Sequence, residues 1–439
     1  MAAAREFPKY DKPLLAGFGA SLVAIGLGIG SGEFVLWPYL SVHYGYGILW
    51  AAIVGIAFQV FINIEIQRYA VVTGNSAVHG FLKVSRFFSF WLIFSTIVGF
   101  GWPGFAAGSS FLFSQAFGLP GNVAEYLPYG ILLLAVGLLV IGSNSYPRVE
   151  KFFRFVLPLT FLLMVGLTVY YFDPVKMTEL LAGLIGKGSG YQFIPEGIDL
   201  AVFLAAFAYA GSGGNLLLGQ GYYILKKKHG MSQYGEKSGL VASESPRSLH
   251  HFKGVRRLIT IENILVFGLM GLITILMLSY LGPIILQGVS VEHGLAFIVA
   301  QGTVLSGKLH PFVGLLFVLS GAVALFSVQL GVFDTLGRIT ADILGKPELL
   351  WYKLVIIVQG CIGVCIFLLG LREPLWLITI GAVSNALAMA VIAAITLWMN
   401  RTHLPVKYRP SLLEQLLLGC IALVYAGFFM VTVWSYLVK

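Results

Sequence analysis

The sequence predicts an all-α, polytopic membrane protein with eleven transmembrane helices. Of its 439 residues, 58% are hydrophobic and only 11% are charged, which is far from the composition of a soluble globular domain. Its apolar runs are continuous and about 20 residues or longer, the length that a helix needs to cross a bilayer. An outer-membrane barrel would instead show alternating segments of about ten residues. We therefore expect residues 1–439 to form one transmembrane domain in a lipid bilayer.

Eleven apolar runs are long enough to be membrane-spanning helices, and we number them 1 to 11. In chain order they cover roughly residues 14–44, 46–72, 88–117, 125–143, 150–171, 198–225, 255–281, 308–338, 351–369, 374–399 and 411–437.

The distribution of basic residues predicts the orientation of these helices. Most of the 28 Lys and Arg residues fall at the N-terminus and in alternate loops, above all in segment 226–257. Because basic loops stay on the cytoplasmic side, we expect a cytoplasmic N-terminus and an external C-terminus in a plasma membrane. Acidic lipid beside these loops accounts for the net charge of +9 without a nucleic-acid partner. The opening "MAAAREFPKYDK" lacks the apolar region and cleavage site of a signal peptide.

Two polar, glycine-rich gaps interrupt runs 1 and 6. The first reads "GIGSGEF" from Gly28 to Phe34, and the second lies in "FAYAGSGGNLLLGQG", where a Gly-Ser-Gly tripeptide recurs at Gly211. Unwound backbone inside a membrane persists only where it lines a cavity or meets a ligand. Matching gaps in the first helices of two five-helix halves are typical of inverted-repeat transporters, with the site near the bilayer midplane. The alternative is that these glycines only allow close helix packing.

This pattern predicts two inverted repeats, over residues 14–171 and 198–399, with an extra helix at 411–437. In that arrangement helices 1 and 6 are both broken at the midplane, and the two gaps face one another.

The motifs resemble those of the Nramp divalent-metal transporters, which belong to the amino acid–polyamine–organocation superfamily. The family's first break, Asp-Pro-Gly-Asn-Phe, aligns with "GSGEF", and its following Phe-Gly-Tyr aligns with "HYGYG". "RYAVVTGNS" and "SYPRVEKF" are similar to its Arg/Thr-Gly and Arg-x-x-Glu motifs. The resemblance extends over nearly the whole chain and implies a transporter fold.

The ligand positions of that family are changed in this chain. Gly30 stands at the family's aspartate and Glu33 at its asparagine, while Ser212 to Leu216 replace Met-Pro-His-Asn-Leu in helix 6. The acidic pair of the family's third helix is also missing from "GFGWPGFAAG". The resemblance therefore implies a related scaffold with a divergent metal site.

Glu33 is the one carboxylate in the first gap. A buried acid in a membrane segment indicates a functional site, but a carboxylate in the first turn of a half-helix can also act as a cap. If a cation is bound, we expect Glu33, Ser212 Oγ, Asn215 Oδ1 and backbone carbonyls of residues 28–32 to be its ligands. These hard oxygen atoms suit magnesium, manganese or calcium better than a soft metal.

Three further polar residues are candidates for the same site. Tyr209 and Asn215 lie on either side of the second gap, and Asn385 lies in the apolar sequence "GAVSNALAM" of run 10. Tyr209 is a candidate gate or water ligand, or a packing aromatic. The two amides are candidate ligands, or they serve as a helix cap and a link between helices.

Other charged residues are candidates for a gate or a proton route. Asp334 and Arg338 are four apart and so share a helical face, as a latch or a static ion pair. Glu65 and Arg68, three apart, form a similar pair, and Glu65 is a candidate proton carrier. Glu262, also within an apolar run, is a further candidate for a polar route.

Three functions compete at this point. The first is a secondary transporter that moves a cation by alternating access, with protons as a candidate coupling ion. The second keeps the fold but carries an organic substrate such as an amino acid or an amine. The third, a membrane enzyme or receptor, requires a convergent group of catalytic side chains that the apolar runs lack. No nucleotide-binding loop or resident cofactor is expected, and the sequence does not indicate an oligomeric state.

Overall fold

The structure is a computed structural model, and it describes most of the chain. The described residues are 3–9, 31–141, 146–187, 194–235, 240–289, 294–345 and 349–437. Run 1 lies outside these ranges up to and including Gly30. This part of run 1 includes the predicted carbonyl ligands at residues 28–30.

Helices account for most of the described residues. In chain order they are α1 Trp37–Tyr44, α2 Trp50–Thr73, α3 Ala77–Val84, α4 Phe87–Phe100, α5 Gly104–Ala116, α6 Gly121–Val140, α7 Tyr146–Tyr170, α8 Pro174–Gly183, α9 Leu200–Ala208, α10 Gly219–Lys226, α11 Pro246–Glu262, α12 Met270–Ile285, α13 Ala296–Lys308, α14 Pro311–Ile343, α15 Leu349–Leu368, α16 Pro374–His403 and α17 Leu412–Leu437.

Short π- and 3₁₀-helical segments join or extend these helices. They are the π segments Ser31–Leu36 and Asn263–Leu269 and the 3₁₀ turns Tyr46–Ile48, Gly214–Leu218, Gly230–Tyr234 and Val406–Tyr408.

Eight helices in the described part of the chain are long and apolar enough to cross a membrane. They correspond to runs 2, 3, 4, 7, 8, 9, 10 and 11. Run 1 is described only from Ser31, run 5 contributes the shorter apolar helix Pro158–Tyr170, and run 6 is divided into α9 and α10. The structure therefore agrees with a multi-pass, helical membrane protein, whereas the count of eleven and the five-plus-five repeat stay predictions.

Local sequence signals explain where the long helices begin. α16 begins at Pro374 after Glu373, whose carboxylate accepts hydrogen bonds from the first free backbone N–H groups of the helix. Asp199 caps α9 in the same way, with 2.9 Å between Oδ1 and the nitrogen of Ala201. An acidic N-cap satisfies these N–H groups and also interacts favourably with the helix dipole.

The seventh span begins earlier than its apolar run predicts. α11 starts at Pro246 after the N-cap Ser245, whose hydroxyl accepts a hydrogen bond from Ser248 N. A basic helical extension thus precedes the apolar part, which hydropathy alone does not detect. Within the span, the π segment Asn263–Leu269 separates α11 from α12. Single π turns of this kind occur often at functional sites.

The N-terminal segment is fixed to the loop before α11. Strand β1, Ala3–Arg5, pairs in parallel with strand β2, Leu240–Ala242, in the register Ala3 with Leu240. Phe7 follows β1 and is buried against the rings of Phe252 and Tyr408, at centroid distances of 5.7 and 6.4 Å. This small sheet and its aromatic cluster anchor the residues that precede run 1.

The packing around α16 positions the site. α16 contacts α9, α4 and the 3₁₀ turn Gly214–Leu218, and it also packs along α17. α14 packs along α5 and contacts the π segment Ser31–Leu36. The π segment Ser31–Leu36 and the 3₁₀ turn Gly214–Leu218 therefore pack against other helices. This packing is expected, because exposing irregular backbone to lipid is costly.

Candidate functional site

The π segment Ser31–Leu36, which holds the described end of the first gap, lies against the interruption in the second. A Cβ atom on Gly32, in that π segment, would overlap the backbone carbonyl oxygen of Tyr209. Only glycine allows this approach of two backbones. The rest of the first gap, including Gly30, lies outside the described residues, so a break in run 1 and two facing gaps stay predictions.

The second interruption lies between the end of α9 at Ala208 and the 3₁₀ turn that begins at Gly214. Gly213 and Gly214 have φ angles of +66° and +49°, in the left-handed region that favours glycine. Gln59 of α2 forms hydrogen bonds with both ends of the unwound chain. Its Nε2 donates to Ala208 O at 2.9 Å, and its Oε1 accepts from Gly213 N at 3.1 Å. Two of the backbone groups freed by the interruption are thereby satisfied inside the protein.

Glu33 lies in the first turn of the π segment Ser31–Leu36 and is completely buried. This is the position that both of its predicted roles require. A carboxylate there can offset the positive end of the half-helix, and it can also supply negative charge to a bound cation.

Asn215 directs its amide nitrogen toward α4. Its Nδ2 donates to Ser95 Oγ at 2.9 Å and to Thr96 Oγ1 at 2.6 Å. Its Oδ1 is buried and has no hydrogen-bond partner in the part of the chain that the structure describes. The donor side of this amide is thus occupied, while the acceptor side is left for another group.

Asn385 has the same arrangement from the opposite side of the second interruption. Its Nδ2 donates to Gly99 O and to the hydroxyl of Tyr209, both at 3.0 Å. Its Oδ1 is buried without a hydrogen bond among the described residues, and so is Ser212 Oγ. A side chain on Gly99 or Gly214 would overlap the Asn385 amide, so these two glycines make room for it.

Tyr209 is held between aromatic rings. It is buried, and its ring lies 6.4 Å from that of Phe100 and 6.1 Å from that of Phe105. It also accepts the hydrogen bond from Asn385. The packing role predicted for Tyr209 is therefore present, and its gating role stays a prediction.

The ion pair predicted between Glu65 and Arg68 is confirmed, with an N–O distance of 2.8 Å. Arg68 also contacts Glu414 of α17 at 3.0 Å, and Arg256 of α11 forms an ion pair with the same carboxylate. Asn400 completes the cluster by donating to Glu65 Oε2 at 3.1 Å. Glu414 and Arg256 were not predicted, because only the folded chain brings α2, α11 and α17 together.

The pair Asp334 and Arg338 is also confirmed and is bidentate, with nitrogen–oxygen distances of 2.8 and 3.0 Å. Two tyrosines from other helices donate to the same carboxylate: Tyr352 of α15 at 2.7 Å and Tyr223 of α10 at 3.4 Å. Since α10 continues the second interrupted span, this cluster connects that span to α14. Sequence spacing within one helix indicated the ion pair but not the tyrosines.

Glu262 is completely buried at the end of α11, next to the π segment. The described residues contain no group of three or more His, Cys, Asp or Glu side chains placed to hold a metal ion.

Sequence analysis missed Gln59, Ser95 and Thr96. Gln59 braces the second interruption, and the two hydroxyls orient Asn215. A signal for Gln59 was present, because an amide in an otherwise apolar membrane helix requires a polar partner. Ser95 and Thr96 carried no such signal, since hydroxyls in membrane helices often bond to their own backbone.

Comparison with solved structures identifies the fold. The manganese transporter of Eremococcus coleocola, in a mutant form, is similar with a TM-score of 0.69 at 12% identity, over 98% of this chain and 96% of that chain. The same transporter bound to an aromatic bis-isothiourea substituted compound gives 0.67 at 12% identity, over 97% and 95%. MhsT in complex with L-phenylalanine gives 0.55 at 17% identity, over 98% and 100%. No family model matches the sequence, and no curated protein matches it.

At these identities the likeness establishes the fold alone. The chain has the fold of a membrane transporter, in agreement with the resemblance found in its motifs.

Proposed function

We propose that this protein is a secondary transporter that moves a hard divalent cation, such as Mg²⁺ or Mn²⁺, by alternating access. The cation binds between the two interrupted helices, beside Gly32 and the segment Tyr209–Asn215. A change in the relative positions of the half-helices opens this site to one side of the membrane and then to the other.

The observation that carries this proposal is the orientation of the two amides. The N–H groups of Asn215 and Asn385 donate hydrogen bonds to other parts of the protein. Their acceptor oxygens are buried and have no hydrogen-bond partner among the described residues. Ser212 Oγ adds a third oxygen at the second interruption. A site that offers oxygen acceptors favours a cation, whereas an anionic substrate would require free donors.

Glu33 supplies the negative charge in this proposal. One carboxylate with neutral oxygen ligands leaves a divalent ion partly hydrated, and Mg²⁺ commonly keeps several waters when bound to proteins. Gly30 and Tyr209 are proposed to line the site, the first through its backbone and the second as an aromatic wall.

The Asp334 cluster is proposed as the latch of one gate. The Tyr223 hydroxyl lies 3.4 Å from Asp334 and 3.0 Å from Thr335 Oγ1, so it ties α10 to α14. Releasing this tie would free the half-helix that follows the second interruption. Glu65 with Arg68, and Glu262, are proposed as a second gate and as groups on a proton route.

A second candidate is a cationic organic substrate. The same acceptor oxygens suit an ammonium group, and MhsT, a solved structure of similar fold, holds L-phenylalanine. An amino acid also carries a carboxylate, for which the occupied donors of Asn215 and Asn385 are unfavourable. We therefore rank an amine above an amino acid, and a metal cation above both.

Uptake into proteoliposomes tests these alternatives. Purified protein is reconstituted and presented with Mn²⁺, Mg²⁺, Ca²⁺, monovalent cations, amines and amino acids, with and without a pH gradient. We expect saturable uptake of Mn²⁺ or Mg²⁺ that amines do not inhibit. Uptake of an amine or amino acid without any metal uptake would overturn the proposal in favour of the second candidate.

A further inference from the structure

One face of α2 carries amide side chains at every fourth position. Gln59, Asn63 and Gln67 are all completely buried. Residues four apart lie one above another on a helix, so these amides form a stripe, about 12 Å long at a rise of 1.5 Å per residue. Glu65 and Arg68 contact α16 and α17, so the charged residues of α2 lie on a different face from the stripe.

Both ends of the amide stripe are hydrogen-bonded to neighbouring helices. At one end, Gln59 braces the second interruption, as described above. At the other end, Gln67 Nε2 donates to Gln220 Oε1 of α10 at 2.7 Å, and Gln67 Oε1 accepts from Asn263 Nδ2 at 2.8 Å. The stripe thus runs from the proposed transport site to a junction of α2, α10 and the π segment.

Asn63, in the middle of the stripe, has a different environment. Its Nδ2 and Oδ1 are both buried, and neither has a hydrogen-bond partner among the described residues. One turn away, Val60 contacts the π segment at Gly268, where an added Cβ would lie 3.0 Å from Val60 Cγ2. Since Gln67 also contacts this segment, Asn63 lies opposite it.

A buried amide with an unpartnered donor and an unpartnered acceptor is costly, and water is the usual molecule that satisfies both. Two more amide atoms lie at the Gln67 end of the stripe. They are Gln220 Nε2 and Asn263 Oδ1, and both are buried without partners in the described part of the chain. Polar groups that could bind water thus lie at the middle of the stripe and at its Gln67 end.

We propose that Asn63 binds water and that the amide stripe of α2 is an internal path that conducts protons. The path joins the second interruption to the junction of Gln67, Gln220 and Asn263. A proton that enters the water chain at one end displaces another at the far end. Each water forms an O–H bond to the proton that arrives and breaks an O–H bond to the proton that it passes on, so the amides keep their own protons and no net bond is lost.

The inference rests on the proposed function only for the role of the path, which is to couple cation movement to proton movement. Conduction itself does not need the cation, because Asn63 and Gln67 are not proposed as cation ligands. The path can therefore be measured without any transported substrate.

The test measures proton flux in proteoliposomes that contain a pH-sensitive dye, with a membrane potential imposed by potassium and valinomycin and no divalent cation present. We expect the unmodified protein to conduct protons faster than protein-free vesicles. Asn63→Leu should reduce the flux to the protein-free level. The matched control is Gln301→Leu, which replaces a buried amide of α13 that also has an unpartnered oxygen, and it should keep the flux.

Thermal unfolding separates a conducting role from a structural one. Asn63→Leu removes two unpartnered polar atoms, so its melting temperature should equal or exceed that of the unmodified protein. Asn63→Met is the second variant, with the same expectations.

Three results would overturn the path: flux no greater than in protein-free vesicles, unchanged flux in Asn63→Leu, or loss of folding in both Asn63 variants. Cation uptake is measured separately in the same vesicles. Proton flux without cation uptake would count against the proposed function and not against the path.

Discussion

Gly32 lies against the backbone carbonyl of Tyr209, so that a single methyl group on Gly32 would overlap that oxygen. Gly32 belongs to the π segment Ser31–Leu36 and Tyr209 to the interruption after α9, so the two are far apart in the sequence. Their contact requires glycine for reasons of space.

We predict that Gly32→Ala destabilises the protein by about 1–3 kcal/mol, the usual cost of inserting a methyl group into close packing. Cation uptake should fall with it, because the interruptions would be pushed apart. Thermal unfolding in detergent and uptake in proteoliposomes measure both effects. The control is Gly130→Ala in α6, where an added Cβ has no neighbour within 4 Å. Equal behaviour of the two variants would contradict the close approach.

Glu33→Gln tests the proposed anionic ligand. Loss of one charge-assisted contact of roughly 1.5–3 kcal/mol should weaken cation affinity by about tenfold to a hundredfold, while folding survives. If Glu33 is only a cap, uptake should persist and stability should fall by about 1 kcal/mol or less. Calorimetric titration with Mn²⁺ distinguishes the two outcomes, and Glu125→Gln, at an exposed carboxylate, is the control.

Soft metals should bind poorly at this site. The buried side-chain oxygens at the second interruption that lack a hydrogen bond among the described residues belong to Ser212, Asn215 and Asn385, and oxygen is a hard ligand. Cd²⁺ should therefore compete weakly with Mn²⁺ or Mg²⁺ in uptake assays. Strong Cd²⁺ binding that Ser212→Ala leaves unchanged would show that the cation binds elsewhere.

Tyr223→Phe should weaken the proposed latch without uncovering a charge. It removes the hydroxyl that joins α10 to α14, at a cost of about 0.5–1.5 kcal/mol, while the bidentate pair of Asp334 and Arg338 remains. We expect greater accessibility of cysteines introduced along α10 to a water-soluble thiol reagent. Tyr352→Phe is the matched control, because its hydroxyl donates to the same carboxylate from α15. Equal accessibility in the two variants would exclude the latch.

The N-terminal anchor should loosen in acid. Hydrogen bonds from Ser245 and Ser248 hold the pKa of Glu6 below its usual value of 4.5, because these hydroxyls stabilise the carboxylate form. A lowered pKa means that the contribution of the Glu6 carboxylate to the anchor is complete above pH 4.5 and is lost as the pH falls through the lower value. Hydrogen exchange of residues 3–7 at decreasing pH measures this. Glu6→Gln should show no such dependence, and a pH-dependent release in that variant would assign the effect to another group.

A second group at the anchor titrates in alkali. Burial raises the pKa of Tyr408 to about 12, so its hydroxyl keeps the proton that it donates to Ser243 O at 2.6 Å throughout the neutral range. Tyr408 therefore does not contribute to the acid sensitivity predicted for the anchor.

The amino-acid sequence by itself determined the membrane class, most of the spans and the position of the interruption in run 6. Apolar runs of bilayer length and glycine-rich gaps are local features, so they can be read without knowing what packs against them. The same holds for the ion pairs Glu65 with Arg68 and Asp334 with Arg338, because residues three or four apart share a helical face in any fold.

Only the tertiary structure decided which atoms are left for a ligand. Sequence analysis named Asn215 and Asn385 as candidates, but it could not show that Ser95, Thr96, Gly99 and Tyr209 occupy their donors. Nor could it bring Glu414 to Arg68 or Tyr223 to Asp334. The physical reason is that hydrogen bonds between helices depend on how the helices are rotated and placed, which is set by packing over the whole molecule and not by residue spacing within one helix.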